Sequence, residues 1–212
     1  MEIRDFLLAC RSEFQKDQAL ILTDEVVKKV FCCHSPNSEL AEVFLKVIVL
    51  NKLYETHIYN ERKLAKHILA VNRNQYLDRF LLSGGVEVVG LIRKGHGIAT
   101  KKGKEIDYYS FATKFCCWSN PVDYPMYDSF VDTAIRSLIG KEVPVPTFVF
   151  AVWTNLKNYA IFKKVIDYLK RALDFSDFTY KDLDEALWVY GKFLEKKLPT
   201  PIQDRLEALK KP

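Results

Sequence analysis

The chain has 212 residues, a length that suits one folded domain or one domain with a small appendage. Hydrophobic residues make up 49% of the chain and charged residues 28%, which excludes a largely disordered protein. The formal net charge of +5 permits binding to nucleic-acid phosphates but does not require it.

Composition also indicates where the protein works. The longest apolar runs, such as residues 148–153, fall well short of the roughly 18 residues that span a bilayer. Residues 1–5 lack the basic segment and apolar run of a secretory signal. The five cysteines include two adjacent pairs and no C-x-x-C, and the four histidines are scattered. We therefore expect a cytoplasmic protein with reduced thiols, without a membrane, metal or cofactor partner.

Apolar residues recur at helical spacing through the first part of the chain. Capping residues precede several of these segments, and Thr23, Ser38, Asn60 and Asn72 are the candidates. The helix over 39–50 has apolar residues at nearly every turn, so we expect it to be central and largely buried. The predicted helices of this half cover residues 3–15, 24–33, 39–50, 61–71 and 73–82.

The second part begins with a break at Gly84-Gly85, and residues 86–93 suit either a helix or a short strand. Residues 94–105 form a basic, glycine-containing loop that either is simply solvated or contacts phosphates. The remaining predicted helices cover residues 107–118, 128–139, 155–173 and 180–197, before a short polar tail. The sum is an all-α protein with few or no strands, folded as a single domain over residues 1–212.

Asp128 follows a rigid turn and opens a predicted helix. An aspartate at that position commonly caps the helix with its side chain. Ser129 offers an alternative cap, with Asp132 three residues later as its partner, and that arrangement would leave Asp128 free for chemistry. The sequence leaves both interpretations open.

The order of several motifs resembles the helix-hairpin-helix DNA glycosylase superfamily, and within it the small 8-oxoguanine-glycosylase-like branch. Residues 111–115 (FATKF) are similar to its A-[ST]-x-[FL] helix, and residues 126–128 (MYD) to its apolar-apolar-Asp helix start. Residues 47–56 are similar to the turn that fills the gap left by a flipped base, and residues 187–192 to the C-terminal helix. The resemblance covers roughly residues 40–195.

The resemblance implies that Asp128 is the catalytic carboxylate of N-glycosidic bond hydrolysis. A fixed carboxylate stabilises the positive charge that develops on the sugar and can orient the attacking water. The position of the Schiff-base lysine of bifunctional relatives is Ser110 here, and Lys114 lies one helical turn further on. We therefore expect a monofunctional enzyme that leaves an abasic site. The L-P-G-[VI]-G phosphate-binding hairpin of the superfamily is missing, and Gly95-His96-Gly97 is the nearest glycine-rich turn.

The implied partner is double-stranded DNA containing a modified base, which the enzyme flips out of the stack. By analogy with relatives that act against phage DNA, glucosylated hydroxymethylcytosine is a candidate base, and we expect a monomer. Two alternatives stay open: a non-catalytic DNA-binding relative and a helical protein-interaction module. The residues expected to contact the base or the DNA are Asn51, Tyr54, Thr56, Lys94, Lys101, Lys102, Tyr109 and Trp118.

Overall fold

The computed structural model describes residues 1–146 and 155–210, and the regular structure of these residues is helical without a strand, which confirms the all-α prediction. The apolar run 148–153 lies outside the described residues. None of the described helices is long and apolar enough to cross a membrane. The helices are α1 (Ile3–Lys16), α2 (Gln18–Cys33), α3 (Leu40–Leu53), α4 (Glu61–Val71), α5 (Tyr76–Ser83), α6 (Glu87–Arg93), α7 (Tyr109–Ser119), α8 (Ser129–Leu138), α9 (Tyr159–Ala172), α10 (Tyr180–Leu194) and α11 (Thr200–Lys210).

The predicted start of α2 is wrong. Asp17, rather than Thr23, satisfies the first turn, because its Oδ1 accepts from the backbone N–H groups of Ala19 at 2.9 Å and Leu20 at 3.2 Å. The helix therefore begins at Gln18, six residues earlier than expected. The cap at Asn60 is confirmed, since its side chain accepts from the Lys63 N–H at 3.0 Å.

The short tail predicted after residue 197 contains a helix that was not identified from the sequence, because residues 200–210 form α11. Pro201 lies in the first turn of this helix, where its missing N–H costs no intrahelical hydrogen bond. Leu206 fixes this helix to its surroundings and is only 1% exposed.

The chain divides into two compact units, and each is described by itself. The first unit comprises residues 1–21 and 125–212, and the second comprises residues 22–124. The boundaries fall within α2 and just before Pro125. The single-domain organisation with a core over 40–195 stays a prediction.

In the second unit, α3 packs on α4 and α7, and α6 packs on α7. The expectation that the 39–50 helix is largely buried is wrong. One face of α3 is buried through Val43, Val47 and Leu50, whereas Leu45 and Ile48 are 37% and 40% exposed. The helix buried along most of its length is α7, whose residues 111–117 all lie in the interior. The polar side chains of Thr113 and Lys114 are therefore buried along with this helix.

In the first unit, α10 packs on both α1 and α8. A reciprocal capping box fixes its start: the Thr179 side chain accepts from the Asp182 N–H, and the Asp182 carboxylate accepts from the Thr179 N–H. Gly191 allows the close approach to α8, because a Cβ there would lie 2.0 Å from the Phe130 carbonyl oxygen. The apolar faces of these helices form the core of the unit.

Candidate functional site

Lys114 is a buried amine on α7, where the residue is 4% exposed. Residues four apart share one helix face, so Ser110 lies beneath it. The Lys114 Nζ donates a hydrogen bond of 2.7 Å to the Ser110 Oγ. The amine is thus held against the hydroxyl one helical turn before it.

Aromatic side chains surround this pair. The Lys114 Nζ lies 5.7 Å from the centroid of the Tyr54 ring at the end of α3, within the range of a cation–π contact. The Trp118 Nε1 donates to the Tyr54 hydroxyl at 3.2 Å, and that hydroxyl donates to the Asp24 Oδ1 at 2.7 Å. We call these five residues the Lys114 cluster.

The cluster unites four residues that the sequence singled out and one that it did not. Tyr54 lies at the end of α3, and Ser110, Lys114 and Trp118 lie on α7. Asp24 lies on α2, and its carboxylate orients the Tyr54 hydroxyl. No sequence signal marks Asp24, because its contact is made between helices distant along the chain.

Three other predicted residues lie outside the cluster. Tyr109 is 3% exposed, and its ring packs beneath the Arg93 guanidinium at 4.3 Å. Asn51 holds the turn after α3: its Oδ1 accepts from the Thr56 hydroxyl and the Ile58 N–H, at 3.1 and 2.8 Å. Asn51 and Thr56 therefore shape the turn that follows Tyr54, and their contact with a base or with DNA stays a prediction.

The basic loop 94–105 is an ordered turn rather than an open one. An isolated antiparallel bridge between Ala99 and Glu105 closes the second half of the loop. Lys101 and Lys102 are exposed at its tip, and the Lys94 Nζ lies 3.8 Å from an Asp107 oxygen. The loop therefore presents positive charge outwards on a folded scaffold.

The glycine turn of this loop binds a carboxylate of its own chain. The Glu105 Oε1 accepts from the backbone N–H groups of Gly95 at 3.0 Å and Gly97 at 2.8 Å. These hydrogen bonds, led by that from Gly97, lower the pKa of the Glu105 carboxyl. The amides of Gly95 and Gly97 thus point at an anion that the chain itself supplies.

Asp128, in the other unit, is the N-cap of α8. Its Oδ1 accepts from the Phe130 N–H at 3.0 Å, so of the two open interpretations the structure has Asp128, not Ser129, as the cap. Asp132 is not a capping partner either, because its carboxylate binds Arg136 and accepts from the Tyr127 hydroxyl. Asp128 is nevertheless half-buried, beside an aromatic segment.

Within residues 1–146 and 155–210, no group of three or more His, Cys, Asp or Glu side chains could hold a metal ion. The groups that these sites offer are a half-buried carboxylate at Asp128, the buried Lys114 amine with its neighbouring hydroxyl, and the rings of Tyr54 and Trp118.

Comparison with known proteins places the chain in a family. Residues 3–123 match the HI_0787_N family model, described as an N-terminal domain. The chain belongs to this family. An uncharacterized protein of Haemophilus influenzae is 39% identical over 142 residues, which make up 67% of this chain and 62% of the relative. The chain thus matches less than two thirds of that relative's length, and no solved structure matches it.

Proposed function

We propose that the chain is a DNA glycosylase that flips out and excises a modified base. The observation that carries the proposal is the Lys114 amine, 4% exposed and 2.7 Å from the Ser110 hydroxyl, beside the Tyr54 and Trp118 rings. Burying an amine is costly unless it is hydrogen-bonded, and here the Ser110 hydroxyl accepts its hydrogen bond. Aromatic side chains beside it would stack on an extruded base.

Asp128 supplies the carboxylate of the proposed reaction. Water adds to C1′ of the sugar, the N-glycosidic bond breaks, and the base leaves with a proton. A carboxylate near C1′ stabilises the developing positive charge and accepts the proton of the attacking water. Capping α8 does not conflict with this role, since the hydrogen bond from Phe130 uses one position of Oδ1 and a carboxylate offers about four.

The Asp128→Asn variant separates catalysis from capping. Asparagine caps helices as well as aspartate does, so the free energy of unfolding should stay within about 0.5 kcal/mol of wild type. Losing the negative charge should lower base release at least roughly a hundredfold. Release is measured by mass spectrometry of free bases after incubation with duplexes that carry different modified bases, glucosylated hydroxymethylcytosine among them.

Each outcome of that assay has a distinct meaning. Equal release by wild type and Asp128→Asn would remove Asp128 from the reaction. Duplex binding without release from any substrate would favour the non-catalytic DNA-binding alternative, and absence of binding would favour the helical interaction module. We propose the wild-type enzyme as a cytoplasmic monomer whose partner is double-stranded DNA.

A second candidate, a glycosylase with lyase activity, is favoured by the reach of Lys114 to Ser110. We expect the first candidate to be correct and the product to be an abasic site, because Ser110 takes the place of the lysine and a serine hydroxyl cannot form a Schiff base with the sugar. The measurement is borohydride trapping on the same duplexes, with strand nicking followed on a denaturing gel. A trapped adduct that disappears in Lys114→Ala and persists in Ser110→Ala would show that Lys114 is the nucleophile.

A further inference from the structure

A groove of about 600 Å³ lies in the second unit, between the end of α4 and the start of α5, and its lining includes the apolar side chains of Leu69 and Ala70. Its floor is a fixed hydrogen-bond network built on Asn37 and Asn72, which are 3% and 6% exposed. The Asn37 Oδ1 accepts from the buried Lys46 Nζ at 2.7 Å, and its Nδ2 donates to Asp78 at 2.6 Å. The Asn72 Nδ2 donates to the Asn37 carbonyl at 2.8 Å. Moving these side chains would break buried hydrogen bonds, so the floor is rigid.

The rim of the groove has different properties. Lys66 and Arg73 are exposed, and within the described part of the chain neither forms an ion pair. Asn74 and Gln75 are exposed beside them, and their side-chain amides bond to no other described residue. Two cations and two amides thus face one groove above a rigid polar floor.

The backbone holds the two amides in place. Asn74 and Gln75 both lie in the left-handed region, with φ of 55° and 58°, between the end of α4 and α5. Non-glycine residues adopt this region at an energetic cost, and two in succession are retained only where the surroundings specify them. Asn72 supplies that constraint, since its Oδ1 accepts from the Asp78 N–H at 2.9 Å beyond the turn.

We propose that this groove binds a nucleotide, either free or as part of a single strand. Lysine and arginine side chains are the usual phosphate ligands of proteins. Asparagine and glutamine amides pair with the edge of a base, best with adenine. The groove shares no residue with the Lys114 cluster, and its binding of unmodified nucleotides does not depend on glycosylase activity.

The test measures binding of a fluorescein-labelled oligo(dA) by anisotropy, with adenosine monophosphate as the competing ligand. The double variant Lys66→Ala with Arg73→Ala should lower oligonucleotide affinity at least tenfold. Removing two phosphate contacts should also reduce the slope of log K against log salt by about 1.4. Displacement by the mononucleotide assigns the groove to free nucleotides, whereas binding of the oligonucleotide alone assigns it to a strand.

A matched control removes the same charge elsewhere in the unit. Lys28 and Lys29 are exposed on α2, outside the groove. The double variant Lys28→Ala with Lys29→Ala should keep its oligonucleotide affinity within twofold of wild type. The proposal is overturned if neither probe binds, if the groove variant binds within twofold of wild type, or if the control loses as much affinity. Circular dichroism melting curves confirm that each variant is folded.

A second variant tests the amides without changing charge. Glycine adopts the left-handed region without strain, so Asn74→Gly with Gln75→Gly keeps the backbone of the turn. Wild type should bind oligo(dA) more tightly than a strand of equal length built from abasic sites. The variant should lose this preference and keep the salt slope. A preference that survives the substitution would overturn the role of the two amides.

Discussion

Lys46 shows how one buried charge is accommodated in the second unit. The residue is 1% exposed, its Nζ donates to Asn37, and the ammonium lies 5.3 Å from the centroid of the Phe31 ring. Burial lowers the pKa of Lys46 from 10.5 to about 8, against the opposing effects of Asp78 and Glu42. The protonated lysine is therefore less favourable in the folded state than in the unfolded chain.

This pKa predicts a pH dependence of stability. Between about pH 8 and 10.5 the unfolded chain keeps the Lys46 proton while the folded protein has lost it, so stability rises with pH in this window. Urea unfolding of wild type and Lys46→Met at pH 7 and pH 10 isolates the effect. The unfolding free energy of wild type minus that of Lys46→Met should increase by about 2 kcal/mol between pH 7 and pH 10. A difference that stays constant would show that Lys46 titrates normally.

Residue spacing along one helix was enough to predict part of the candidate site. Ser110 and Lys114 were paired from their spacing, and Trp118 lies one turn further on the same face of α7. The capping role of Asp128 was one of two open interpretations, and local sequence could not decide between Asp128 and Ser129. Asp24 could not be found, because a single hydrogen bond between α2 and the end of α3 selects it.

At the scale of helices, the most demanding contact is that between α8 and α10. Gly191→Ala would place a Cβ 2.0 Å from the Phe130 carbonyl oxygen and 2.5 Å from its carbon, so backbone must move. Alanine favours a helix by about 1 kcal/mol over glycine, but overpacking typically costs about 1–3 kcal/mol. We expect net destabilisation and a lower melting temperature for Gly191→Ala.

Gly90 provides the matched control for this substitution. It lies in α6, is exposed, and a Cβ there would meet nothing within 4 Å. Gly90→Ala should therefore raise the free energy of unfolding by roughly 0.4–1 kcal/mol. If Gly191→Ala also raised the free energy of unfolding, helix propensity rather than packing against Phe130 would control the effect at Gly191.

Helix ends were harder to predict than helices. Periodicity located every segment with a strong apolar face, but α2 begins at the cap supplied by Asp17 rather than at Thr23. The turn before α5 depends on Asn74 and Gln75 in the left-handed region, which no periodic pattern reveals. Such features depend on side chains that meet only after folding.

At the scale of the whole molecule, the net charge and the positions of the charged side chains would determine how strongly the protein attracts DNA. The formal charge of +5 is modest, and the ordered loop presents Lys101 and Lys102 outwards as one concentrated source of it. Contacts with phosphates release counterions, so affinity for duplex DNA should fall steeply with salt. If the attraction came from charge spread over the whole surface, removing the lysines of this loop would change the salt dependence of binding no more than removing lysines elsewhere.

The final prediction is that the loop lysines contribute a measurable share of duplex binding. Lys101→Ala with Lys102→Ala removes two exposed cations from the tip of the loop and leaves the bridge between Ala99 and Glu105 in place. If each lysine contacts one phosphate, the slope of log K against log salt should become shallower by about 1.8. Anisotropy of a labelled duplex between 50 and about 200 mM salt measures this slope. Lys28→Ala with Lys29→Ala carries the same change of charge and should retain the wild-type slope, so an equal loss in both variants would contradict a specific role for the loop.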